Sequence, residues 1–130
     1  KLVEANGIIY EGHMKDGRRD GYGKLTISPI EIYEGGFVRG IKNGRGKEQF
    51  KTGDSYEGDY VLGKFSGEGC YRWANGAMYL GQFHNGCRSG KGYWRSANAT
   101  PCDTYDGEYQ NDKKCGKGLY TWETGVSYEG

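Results

Sequence analysis

The tripeptide Tyr-x-Gly recurs along this chain as Tyr10-Glu11-Gly12, Tyr33-Glu34-Gly35, Tyr56-Glu57-Gly58, Tyr79-Leu80-Gly81, Tyr105-Asp106-Gly107 and Tyr128-Glu129-Gly130. From Tyr10 to Tyr79 the spacing is 23 residues; it is 26 between Tyr79 and Tyr105, then 23 again to Tyr128. A fixed period of this length marks an array whose units each bury surface only against their neighbours. With the tyrosine as position 1, further columns align. Position 12 is Gly21, Gly44, Gly67, Gly90 and Gly116, and position 14 is Gly23, Gly46, Gly69, Gly92 and Gly118. Position 8 is Gly17, Gly40, Gly63 and Gly86, broken by Asp112. Position 5 holds Met14, Phe37, Tyr60, Phe83 and Tyr109.

Within one unit, positions 1, 3 and 5 alternate with polar neighbours at a period of two, which is a strand pattern. Glycine-bounded polar stretches such as Gly17-Arg18-Arg19-Asp20-Gly21 read as turns, because glycine accepts positive φ freely. A second alternation follows at positions 14, 16 and 18, as in Gly69, Tyr71 and Trp73. Each unit is therefore a β-hairpin. A loop over positions 8 to 11 predicts that position 5 faces 14, 3 faces 16 and 1 faces 18. Tyr60 would then lie over Gly69, Gly58 under Tyr71, and Tyr56 against Trp73, with aromatics covering cross-strand glycines. Glu57, Asp59, Glu68 and Arg72 fall on the other face. An isolated hairpin is marginal in water, so the hairpins must stack edge to edge. The expected fold is all-β: a single-layer antiparallel meander of stacked hairpins, elongated and twisted, with no helix.

The array is expected to occupy residues 1–130, with repeats starting near 10, 33, 56, 79 and 105 and partial repeats at 1–9 and 128–130. The cut ends suggest a piece of a longer array or ends that need capping, and open edge strands invite pairing with another chain. Pro29 fits a connector between hairpins. Arg95 to Thr104 carries the insertion and reads as a longer loop; its Asn98-Ala99-Thr100 matches a glycosylation sequon, a short and common pattern.

Composition narrows the function classes. Glycine supplies 25 residues, which alone would suit a disordered tail, but 12 Tyr, 3 Trp and 4 Phe demand burial. The charge is +1, from 18 basic and 17 acidic residues, so no nucleic-acid partner is expected. No apolar run reaches the ~18 residues of a membrane helix, and no secretion signal opens the chain. Cys70, Cys87, Cys102 and Cys115 form no C-x-x-C pair and read as free thiols of a cytoplasmic protein.

The unit Tyr-Glu-Gly-x-(aromatic)-x-x-Gly followed by Gly-x-Gly, at this spacing, resembles the membrane occupation and recognition nexus (MORN) repeat. The likeness runs from about Ala5 to Gly130. Leu80 where an acidic residue is usual, Asp112 for glycine, Ser96 for an aromatic, and the insertion after Trp94 depart from it. The resemblance implies elongated ribbons that scaffold partners in cytoskeletal, ciliary, junctional and membrane-contact settings, holding a segment in a groove or dimerising through terminal repeats.

No catalytic set emerges. His13 and His84 fall on the polar face, and the carboxylates Glu11, Glu34, Glu57, Asp106 and Glu129 recur once per repeat, at ~10 Å intervals too wide for an acid pair. The Gly-x-Gly pairs lack the helix and Gly-Lys-Ser/Thr ending of a phosphate loop, so no cofactor is expected. Cys87, Cys115 and His84 match no zinc spacing, and no metal is expected. Two surfaces stand out. One is an aromatic face of Tyr33, Phe37, Tyr56, Tyr60, Trp73, Tyr79, Phe83, Tyr105, Tyr109 and Trp122, suited to a helix or extended peptide of a protein partner. The other is a basic turn rim of Arg18, Arg19, Lys42, Lys64, Arg88, Lys113 and Lys114, suited to an anionic membrane surface or simply solvated. The leading expectation is a non-catalytic scaffold, with homodimerisation through its terminal repeats. A peripheral membrane module and the targeting arm of a larger enzyme are the alternatives.

Overall fold

The computed structural model describes residues 2–3, 7–96, 102–122, 124 and 127–129. Twelve strands run in chain order as neighbours in one antiparallel sheet: β1 Leu2–Val3, β2 Ile9–Lys15, β3 Arg18–Ser28, β4 Glu31–Val38, β5 Ile41–Gln49, β6 Ser55–Val61, β7 Lys64–Arg72, β8 Met78–His84, β9 Cys87–Arg95, β10 Thr104–Gln110, β11 Lys113–Thr121 and β12 Ser127–Glu129. The all-β meander of hairpins is therefore the fold, and among the described residues there is no α-helix and no second layer. At about 4.8 Å per strand the ribbon extends ~50 Å.

The hairpin register differs from the expectation. In β6–β7, Tyr56 pairs with Tyr71, Gly58 with Gly69 and Tyr60 with Phe65. Position 1 thus faces 16, 3 faces 14 and 5 faces 10. The loop is two residues at positions 7 and 8, not four. Both have positive φ, as in Leu62 (51°) and Gly63 (82°), or Asn85 (56°) and Gly86 (88°). Such turns match the right-handed twist of the strands they join. The glycine at position 12 belongs to a bulge instead. Between Gly58↔Gly69 and Tyr60↔Phe65, Asp59 alone stands opposite Ser66, Gly67 and Glu68, with Gly67 at φ 84°. The shift from the expected register is even, so the strand residues assigned to either face keep it.

Between hairpins, position 5 lies opposite the preceding repeat's bulge glycine: Phe37 opposite Gly21, Tyr60 opposite Gly44, Phe83 opposite Gly67 and Tyr109 opposite Gly90. The expected pairs Tyr60 with Gly69 and Gly58 with Tyr71 do not form, because the two-residue turn sets Gly58 against Gly69 and Tyr60 against Phe65. Pro29 sits in the connector after β3, as its fixed φ suits. The later connectors close tightly, with Gly53 N–H donating to Phe50 C=O (3.0 Å) and Gly76 N–H to Trp73 C=O (3.0 Å). Ser96 N–H donates to Asp103 C=O (2.8 Å) across the mouth of the insertion. Residues 97–101, with the Asn98 sequon, lie outside the described residues, as do residues 4–6 and Gly130 of the partial repeats.

Candidate functional site

A single sheet can bury its aromatic face only if the rings sink into the backbone, and the glycine columns make that happen. Each position-1 tyrosine lies flat over the position-3 and position-14 glycines of its hairpin. A Cβ on Gly69 would collide with the Tyr56 ring, and the same holds for Gly46 and Tyr33, Gly92 and Tyr79, and Gly118 and Tyr105. The hydroxyl then reaches its own strand. Tyr10, Tyr33, Tyr56, Tyr79 and Tyr105 donate to the position-4 carbonyls of His13, Gly36, Asp59, Gln82 and Glu108 at 2.7 to 3.0 Å. This bond is why the column is tyrosine and not phenylalanine. Rings of positions 1 and 5 interlock edge to face from Tyr10 and Phe37 through to Tyr109 and Tyr105, with centroids 5.1 to 5.5 Å apart and planes at 80 to 90°.

A second tier lies over these rings. Position 10 bends onto the face: Phe65 stacks on Tyr56 (3.9 Å, 18°), Lys42 Nζ sits over Tyr33 (5.1 Å), Arg88 over Tyr109 (5.0 Å) and Lys114 over Tyr105 (5.4 Å). Two of these cations are also paired, Lys42 with Glu48 (2.7 Å) and Arg88 with Asp112 (3.2 Å). Glu48 is 8% exposed and also accepts from the Tyr60 hydroxyl (2.7 Å). Positions 16 and 18 complete the tier with Phe50, Tyr71, Trp73, Trp94, Tyr120 and Trp122. Tyr71 and Tyr120 are anchored by donating to Asp54 (2.7 Å) and Asp103 (3.0 Å). Two hollows open between these groups. One of about 330 Å³ is lined by Phe65, Tyr71, Trp73, Phe83, Gly86, Arg88 and Asp112. The other, about 380 Å³, includes Tyr105, Lys114, Tyr120, Trp122 and Tyr128.

The residues expected on the aromatic face are thereby sorted. Tyr33, Phe37, Tyr56, Tyr60, Tyr79, Phe83, Tyr105 and Tyr109 are 0 to 6% exposed and constitute the core, while Trp73 is half-buried and Trp122 is 40% exposed. What the face offers outward is the second tier. Sequence reasoning passed over Phe65 because the glycine pair around it looked like one loop, and over Glu48 because its column is otherwise apolar. The rim expectation divides in the same way. Arg19, Lys42, Arg88 and Lys114, all at position 10, turn onto the rings. Arg18, Lys64 and Lys113, at position 9, point to the other face and are exposed.

Burial pushes the core hydroxyls up. Tyr79 is raised to about 12, first by desolvation, and Tyr109 to about 12, by desolvation that the Arg88 guanidinium opposes. Tyr60 is raised further, by desolvation and then by the Glu48 carboxylate it bonds. These shifts arise from a packed core, not from a reactive group. His13 and His84 are exposed. Cys87 stands opposite His84, and Asp112 pushes its thiol up, away from the reactive thiolate. Cys115 stands opposite Glu108, and no three metal-ligating side chains converge among the described residues. Nor is any helix long and apolar enough to cross a membrane among them.

Compared with known families, the chain matches the model described as MORN repeat over residues 10–28, 33–55, 56–78, 79–99 and 105–127. Each match begins on a position-1 tyrosine, and the gap after residue 99 falls in the insertion. No curated protein matches the chain significantly.

Proposed function

The chain belongs to the MORN repeat family, and from that membership we propose that it is a scaffold that holds a protein segment along its aromatic face. Repeats of this family mediate protein or membrane interactions and are non-catalytic modules. The observation that carries the finer reading is the second tier. Tyr71, Trp73, Trp94, Tyr120 and Trp122 stand half-buried or exposed, with no layer of described residues over them. Rigid aromatics with a polar tip are the side chains that dominate binding energy at protein interfaces. The hollows beside Trp73 and Trp122 suit the side chains of a helix or extended peptide laid across the strands. A cytoskeletal or ciliary setting and pairing of terminal repeats belong to the same reading.

A photo-crosslinking residue placed beside Trp73 tests it. Crosslinks should map to one segment of a partner. The Trp73→Ala, Trp122→Ala variant should lose the partner while its circular dichroism stays unchanged. Capture that survives in the folded double variant removes the face from the binding account. The membrane reading is weaker because four of the seven basic residues lie on rings. Salt-insensitive or absent sedimentation with anionic vesicles would dismiss it, since exposed charge attraction is screened by salt.

A further inference from the structure

The aliphatic residues of this chain have almost no part in its core. Among the described residues, Leu25 is the one buried Leu, Ile or Val, and eight others are exposed. Four of those eight lie together where two hairpins turn. Val38 pairs with Ile41 across β4–β5, and Val61 ends β6. The Gly63 amide donates to the Lys42 carbonyl (2.9 Å), which brings the second turn, with Leu62, against Ile41. Their exposures are 47, 46, 51 and 75% for Val38, Ile41, Val61 and Leu62. The same positions in the first, fourth and fifth repeats hold Lys15, Asp16 and Arg18, then His84, Asn85 and Cys87, then Gln110, Asn111 and Lys113. The patch is therefore a property of two repeats, not of the fold. It faces away from the aromatic tier.

Leu62 adds an independent sign. It occupies the first turn position at φ 51°, where the later repeats place Asn85 and Asn111. Left-handed backbone suits glycine, asparagine and aspartate, and a bulky apolar residue there is uncommon. Folding would be served better by asparagine, and so would solubility. Three cations surround the patch: Arg18 and Lys64 on either side of Ile41 along the rim, and Arg39 beside Val38. None of them is within ion-pair distance of a carboxylate among the described residues.

We propose that Val38, Ile41, Val61 and Leu62 form a second docking site, on the face opposite the aromatic tier, for an amphipathic protein helix whose aliphatic side chains are bordered by carboxylates. Charge complementarity to Arg18, Arg39 and Lys64 sets the border, and the patch is sized for a few side chains. A membrane fits it less well. Asp16, Asn85 and Asp112 occupy the other turns of the same edge and would be pressed onto the same plane. Val38, Ile41 and Val61 are also strand residues, at the ends of β4 and β6 and the start of β5, and not turn residues.

The test uses the full chain, isotope-labelled, and a synthetic helix with leucines one turn apart bordered by glutamates. That peptide should shift the amides of residues 38–42 and 61–64. The Val61→Thr, Leu62→Asn variant should bind it roughly tenfold more weakly, whereas Trp73→Ala, Trp122→Ala should bind it unchanged. The second comparison keeps this site distinct from the aromatic one. A lysine-bordered version of the peptide should bind far less. Leu62→Asn alone should melt at the parent temperature or above it. Equal binding of both peptides, shifts confined to the aromatic face, no shift at all, a lowered melting temperature for Leu62→Asn, or Leu62-dependent sedimentation with anionic vesicles would each overturn the proposal.

Discussion

Tyr56 does three jobs with one side chain: its ring covers Gly58 and Gly69, its edge meets Tyr60 and Phe83, and its hydroxyl closes onto the Asp59 carbonyl. Tyr56→Phe keeps the first two and loses the third. It should cost about 1 kcal/mol of unfolding free energy in urea, the net value of one hydrogen bond. The glycines separate into two kinds by the same logic. An alanine at Gly69 meets the Tyr56 ring, so Gly69→Ala should cost about 1–3 kcal/mol or more by overpacking. Gly17→Ala meets no atom within 4 Å, and its cost comes from φ 75° alone, about 1 kcal/mol. A larger loss at Gly17 than at Gly69 in denaturant titrations would contradict this sorting. The tyrosine and glycine columns were legible because they repeat. The hydroxyl bond was not, since it joins positions 1 and 4 of one strand and leaves no pattern beyond the choice of tyrosine.

At the scale of the hairpin, the bulge carries more of the architecture than the turn does. The residue at position 4 caps it. Asp59 accepts from Glu68 N–H (3.2 Å), Gln82 from Lys91 N–H (2.9 Å) and Glu108 from Lys117 N–H (3.1 Å). Gln82→Ala removes that acceptor and should cost about 0.5–1.5 kcal/mol. Hydrogen exchange at the Lys91 amide should quicken more than at Gly92, whose neighbourhood the Tyr79 ring protects. Strand identity and the sorting of faces were legible from alternation of period two. The register was not, because Gly67 and its equivalents resemble turn glycines while serving as bulge residues. That confusion also hid the position-10 side chains. A loop over positions 8 to 11 would leave Phe65 and Arg88 in solvent, yet they cover Tyr56 and Tyr79.

Across the whole molecule, the core is one continuous line of interlocked rings running along the ribbon, and it is held neutral by burial. This gives a pH dependence of definite sign. Unfolded tyrosines ionise near 10, whereas Tyr79 and Tyr109 resist until about 12. Their contribution to stability is therefore full below pH 10 and is lost as pH rises from 10 towards 12. Phenolate absorbance of the core should appear together with the loss of circular dichroism, not ahead of it. The aromatic face and the aliphatic patch lie on opposite sides of this line, so the two proposed docking sites would not overlap.

Each repeat's tyrosine lies flat on the glycines of a hairpin joined at positions 1 and 16. Solution NMR of the glycine Hα protons reads it directly. Ring-current upfield shifts are expected at Gly46, Gly69 and Gly92, with contacts from Tyr56 to Tyr71 across the hairpin. Glycine protons at random-coil positions, or contacts joining Tyr56 to Trp73 as direct strand partners, would contradict it.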